Sequence, residues 1–112
     1  MPVDELSATF TALAHPTRRA ILTRLANGQA TVTELAEPFP VSIPAISRHL
    51  KVLEQAGLIT RDRSAQFRPS SLRGERLQEA TNWMETCRAI WLSRIERLDE
   101  HLQAIEKEQA HD

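Results

Sequence analysis

The sequence predicts a mainly α-helical fold with one small β-hairpin, and three observations carry that expectation. Apolar residues recur at three- and four-residue steps over most of the 112 positions. The three glycines and six prolines fall between those periodic runs and seldom inside them. One stretch, Leu58 to Leu72, abandons the helical period for residues that favour extended structure.

Val3, Leu6, Phe10 and Leu13 form the apolar stripe of a first helix that ends near Ala14. His15-Pro16 interrupts it, and Pro16 suits the first position of a second helix, where a missing N–H costs nothing. Ile21, Leu22 and Leu25 are its buried side, and Asn27-Gly28 ends it. Thr31 and Glu34 have the spacing of a capping box, so a short third helix follows with Leu35 and Ala36 inward, unable to pass Pro38 or Pro40. Ser42 is a good N-cap for a fourth helix with Ile43, Ile46, Leu50 and Leu53 inward, ending at Ala56-Gly57.

Leu58-Ile59-Thr60 then reads as a strand, with Phe67 to Leu72 returning across a turn at Ser64-Ala65-Gln66. Pro69 is tolerable there because a two-stranded hairpin is all edge. From Glu75 one long helix carries Met84, Cys87, Trp91, Ile95, Leu98, Leu102 and Ile105 at heptad-like steps. Such a stripe needs another helix. With 41% hydrophobic residues the chain has enough for one core and little margin, so a partner subunit is expected to complete the burial.

Helix, short break, helix, hairpin is the order of a winged helix-turn-helix. The organisation expected is a single domain over residues 1–112, with residues 1–14 and 75–108 as dimerisation helices, 31–57 as the helix-turn-helix and 58–72 as the wing. Leu6, Phe10, Leu13, Met84, Cys87, Trp91, Ile95 and Leu98 are the expected dimer interface.

Net charge is −1, but it is unevenly distributed. Residues 41–73 hold six basic and two acidic groups, whereas 74–112 hold five basic and nine acidic. A positive middle segment between neutral and acidic ones suits a protein that meets a polyanion with one face. The fourth helix turns Ser42, Pro44, Ala45, Ser47, Arg48 and Lys51 outward, with His49 at the margin. Small residues let the backbone approach a groove floor, Arg48 has the fork that bonds guanine bidentately, and Ser47 or His49 can reach base edges or phosphates. Free N–H groups near Thr33 and Ser42 offer phosphate sites. Arg61, Arg63, Gln66 and Arg68 put long donors on the hairpin for backbone or minor-groove contact.

The segments LAHPTRRAIL and VTELAEPFPVSIPAISRHLKVLEQAGLI, with Trp83 and Trp91, resemble the ArsR/SmtB-type transcriptional repressors over essentially the whole chain. The resemblance implies a homodimer joined through its first and last helices. It further implies binding to an imperfect palindrome of double-stranded DNA and repression until an inducer intervenes. Ser42, Pro44, Ser47, Arg48 and His49 then read or position DNA, and the arginines between Arg61 and Arg68 form the wing. Relatives often place glycine in the wing turn, where this chain has Ser64-Ala65-Gln66.

Many members of that family sense metals. At the third helix, where a cysteine pair is familiar, stands Glu34-Leu35-Ala36-Glu37, which offers no thiolate. Asp99, His101 and His111 depart from the spacing of the family's second zinc site, so no metal and no cofactor are expected. Cys87 reads as a small buried hydrophobe, and a single cysteine suits a reducing compartment. No signal-type leader and no apolar run of membrane-spanning length stand in the sequence, so a cytoplasmic location is expected. No paired carboxylates, activated nucleophile or phosphate loop points to an enzyme. Two other readings remain: a winged-helix module that binds a protein partner, and a redox or small-molecule sensor around Trp83, Cys87 and Trp91.

Overall fold

The computed structural model describes residues 4–110. Val3, His111 and Asp112 lie outside the described residues, and with them the first member of the N-terminal stripe and the last histidine of the departed zinc pattern. The elements are α1 (Glu5–Leu13), α2 (Pro16–Leu25), α3 (Val32–Ala36), α4 (Ile43–Gln55), β1 (Ile59–Arg61), β2 (Ser70–Leu72) and α5 (Glu75–Ala110). They fall into two compact units, one running to Ala80 and one from Thr81 onward.

In the first unit each helix starts where local chemistry allows. Asp4 caps α1 by accepting from Ser7 N at 2.8 Å, and His15 Nδ1 caps α2 by accepting from Thr17 N at 3.1 Å. Thr31 and Glu34 form the reciprocal capping box, with Thr31 Oγ1 accepting from Glu34 N at 3.3 Å and Glu34 Oε1 accepting from Thr31 N at 3.1 Å. Helix α4 ends in a Schellman motif. Leu58 N reaches Leu53 O and Gly57 N reaches Glu54 O, both at 3.0 Å, while Gly57 takes a φ of 78°. Leu53 and Leu58, at the positions of the motif's companion hydrophobic pair, are both fully buried in the core cluster.

The core joins Ile21, Leu22 and Leu25 of α2, Leu35 of α3, and Ile46, Leu50 and Leu53 of α4 with Leu58 and Ile59 at the hairpin's base. Leu77, early in α5, rests partly buried against the same cluster. Helix α1 buries Thr9 and Ala12, leaving the expected Leu6, Phe10 and Leu13 only partly covered.

Three expectations need correction. Ile43 is not inward: at the first position of α4 it precedes the turn that meets the core, and it is 50% exposed. The returning strand does not begin at Phe67, because Phe67 and Arg68 adopt left-handed φ values of 67° and 44° and pairing starts only at Ser70. The hairpin is also not all edge. Ser70 N donates to Ala30 O at 2.8 Å and Ala30 N to Ser70 O at 3.1 Å, so the loop before α3 supplies a third partner. Pro69 contributes its carbonyl, which accepts from Asp62 N at 3.0 Å, and its missing N–H is not called upon.

The second unit is the remainder of α5. Met84, Trp91, Ile95, Leu98, Leu102 and Ile105 are exposed along it, as are Ile90 and Leu92. Cys87, expected to be buried, is exposed too, like the other members of its stripe.

Candidate nucleic-acid interface

The order α3, turn, α4 places a second helix whose buried side is Ile46, Leu50 and Leu53, so its opposite side faces out. Ser42, Pro44, Arg48 and Lys51 are exposed there, and Ala45, Ser47 and His49 are half-buried. Ser42 Oγ accepts from Ala45 N at 3.3 Å, which commits it to capping and leaves its hydroxyl proton for a ligand. Thr33 is exposed on α3, but the Glu34 carboxylate occupies that helix start, so its amides are a poorer phosphate seat than the sequence implied.

Between α4 and the hairpin lies a cleft of about 440 Å³ lined by Ser47, Arg48, Lys51, Glu54, Gln55, Arg61 and Arg63. Four cationic side chains thus converge around a single carboxylate. Arg63 donates to Glu54 at 3.0 Å, a wing-to-helix pair that sequence reading missed because its partners come from different elements. The Arg61 Nε–H is buried and makes no hydrogen bond, although buried donors almost always find an acceptor. An oxyanion entering this cleft would meet a surplus of positive charge and an unsatisfied donor. Gln66 and Arg68 are exposed at the hairpin tip and do not line that cleft.

The tip itself is held without glycine. Asp62 Oδ1 accepts from Ser64 N at 3.1 Å, Ser64 Oγ at 2.7 Å and Ala65 N at 3.2 Å. These bonds hold the Asp62 carboxyl below its usual range and turn its charge onto the loop.

His49 is set apart from the other α4 residues. Its ring lies 4.4 Å from that of His15, and the Arg18 guanidinium stands 3.4 Å from its Nδ1. Arg18 also donates to Ala12 O at 2.7 Å and Thr11 O at 3.1 Å, so this cluster ties α4 to the end of α1 and the start of α2. These contacts turn its half-buried ring toward the start of α2. Burial, then the positive fields of His15, Arg18 and Arg48, push the His49 pKa below the ordinary value of 6.5. A histidine whose folded pKa is depressed contributes stability that is complete above about pH 6.5 and is lost as pH falls toward the folded value. The melting temperature is therefore expected to be level above about pH 7 and to fall as pH drops below about 6.5. His49→Gln should flatten that limb; an unchanged limb would assign it to other groups.

The side chains of α3 offer no thiolate to a metal. Leu35 and Ala36 are buried, and Glu34 is spent on the capping box. Among the described residues no three histidine, cysteine, aspartate or glutamate side chains are grouped to hold an ion.

A recognition-type helix behind a short helix and turn, with a cationic hairpin beside it, defines a winged helix-turn-helix of the DNA-binding class. A helix-turn-helix domain model matches residues 13–62. Transcriptional repressor SdpR of Bacillus subtilis is 43% identical over 79 residues, covering 70% of this chain and 88% of SdpR. The crystal structure of an ArsR family transcriptional regulator superposes with a TM-score of 0.74 at 36% identity, over 79% of this chain and 97% of that one. An ArsR-like regulator from Rhodococcus sp. RHA1 gives 0.73 at 30% identity, over 86% and 91%. The chain belongs to the ArsR family of helix-turn-helix transcriptional regulators, a family of DNA-binding regulators and not of enzymes. No helix among the described residues is long and apolar enough to cross a membrane.

Proposed function

We propose that this chain is a cytoplasmic repressor that acts as a homodimer, through the whole chain as one winged helix-turn-helix domain, by occluding a promoter on double-stranded DNA. The observation that carries this reading is the cleft in which Arg48, Lys51, Arg61 and Arg63 converge between α4 and the hairpin. A phosphate held there would seat α4 in the major groove with the hairpin against the adjoining backbone.

In this reading Arg48 and Ser47 read base edges, with Pro44 and Ala45 keeping the approach close. Ser42, Thr33, Lys51, Arg61, Arg63, Gln66 and Arg68 position the duplex, with His49 turned toward the start of α2. The exposed stripe of Met84, Cys87, Trp91, Ile95 and Leu98, with the half-covered Leu6, Phe10 and Leu13, supports a second copy as the missing partner. No metal takes part in this reading, which rests on the lack of a thiolate in α3 and on the departed spacing of Asp99, His101 and His111. The name of SdpR supports repression as the outcome.

The test is a hydroxyl-radical footprint on a duplex enriched from a randomised library by the purified protein. Two protected half-sites, centred about 10 base pairs apart or at a multiple of that spacing, are the expected result. A single short protected tract would contradict the dimeric reading, and no enrichment would contradict DNA recognition itself.

A further inference from the structure

Phe67 stands at the tip of the hairpin and is 72% exposed, the highest value among the exposed large apolar side chains of the described residues. Its φ is 67°, and its neighbour Arg68 follows at 44°. Two consecutive non-glycine residues in the left-handed region are uncommon, and a bulky ring there is an outlier. Glycine would fit the backbone at lower cost, so folding does not account for the phenylalanine. Strain of this kind is retained chiefly where a site uses it.

The mount beneath the ring is firm. Ile59 and Ser70 are buried at the hairpin's base, Asp62 N bonds Pro69 O, and Arg68 N bonds Ala65 O at 3.2 Å. Arg68, the next residue, is exposed, and Arg61 and Arg63 stand on the same hairpin, while the only acidic group between the strands, Asp62, is turned onto Ser64 and Ala65. An apolar ring on a cationic hairpin matches an anionic surface with an apolar interior, which is the character of duplex DNA.

Building on the DNA-binding reading above, we propose that Phe67 is a wedge that enters the minor groove beside the α4 site and partly unstacks one base step in each half-site. Two paired strands lie about 4.8 Å apart before side chains are added, so the hairpin itself is too broad for a groove about 6 Å wide. A single ring at its tip is not. Apolar side chains inserted in this way open base steps and bend the duplex.

The experiment uses the library-enriched duplex with 2-aminopurine placed at successive flanking steps, read by fluorescence for unstacking and by anisotropy for affinity. Wild-type protein is expected to raise the 2-aminopurine signal at one step per half-site. Phe67→Ala and Phe67→Gly should abolish that rise and bind about 10-fold more weakly at an unchanged salt slope, while Phe67→Leu keeps part of both. Phe67→Gly should melt no lower than wild type, because glycine accepts the left-handed backbone, which separates binding from folding. Arg68→Ala should instead lower the salt slope by about one and leave the unstacking signal intact.

Wild-type-like unstacking and affinity in Phe67→Ala, with affinity still lost in Arg48→Ala, would overturn the wedge and leave the DNA reading standing. Weaker binding by Phe67→Ala without any wild-type unstacking signal would place the ring against sugars and also overturn it. A protein that enriches no duplex would overturn both.

Discussion

Leu50→Ala is expected to lower stability by about 2–5 kcal/mol, the largest effect of any single substitution considered. Leu50 is fully buried at the centre of α4, among Ile21, Leu35, Ile46 and Leu53, where truncation removes transferred surface and leaves a cavity. A small domain has only about 5–15 kcal/mol to lose, so the melting temperature should drop by roughly 10–30 °C and DNA binding with it. The control is Ile43→Ala in the same helix. Its side chain is 50% exposed, so the cost should stay within about 0.5 kcal/mol. Thermal denaturation followed by circular dichroism checks both, and equal losses at the two positions would mean that α4 is docked differently.

Arg48→Ala is expected to cost about 1–3 kcal/mol in DNA affinity and to blur sequence preference while the fold is unaffected. Arg48 is exposed on α4 and lines the basic cleft, so its loss removes the fork proposed to read a base without opening the core. Arg63→Ala should behave otherwise. In the proposed reading it bears on phosphate, so affinity should fall evenly across sequences and the salt slope should drop by about one. Its pairing with Glu54 is largely exposed on the arginine side and adds little to stability. Anisotropy titrations of both variants at several salt concentrations separate the two roles, and matched behaviour would count against the division between reading and positioning.

What was legible in the sequence was local. The proline at the start of α2, the Thr31–Glu34 capping box, Ser42 as N-cap and Gly57 as helix stop are decided within four or five residues, and all stand in the structure. What was missed depends on contacts between distant segments. Ile43 keeps the period of the apolar stripe but lies ahead of the turn that meets the core. Ala30 joins the hairpin from 40 residues away, which no strand pattern announces. His49 sits on the recognition helix in sequence and against His15 and Arg18 in space. Phe67 was visible as one apolar residue between Gln66 and Arg68, but only its backbone conformation and exposure set it apart. Cys87 obeys the pattern of a buried stripe, and the single chain does not bury it.

The function proposed for this chain is sequence-specific recognition of DNA through α4 and the hairpin, independent of metal. It is tested most directly by anisotropy titration of the wild-type protein against the library-enriched duplex and a scrambled duplex of equal length and composition, each with zinc and with chelator. Binding to the enriched duplex at least about 1,000-fold tighter than to the scrambled one, at a dimer per site and unchanged by zinc, is the expected result. Equal affinity for the two duplexes, or tight binding that appears or vanishes with zinc, would contradict it.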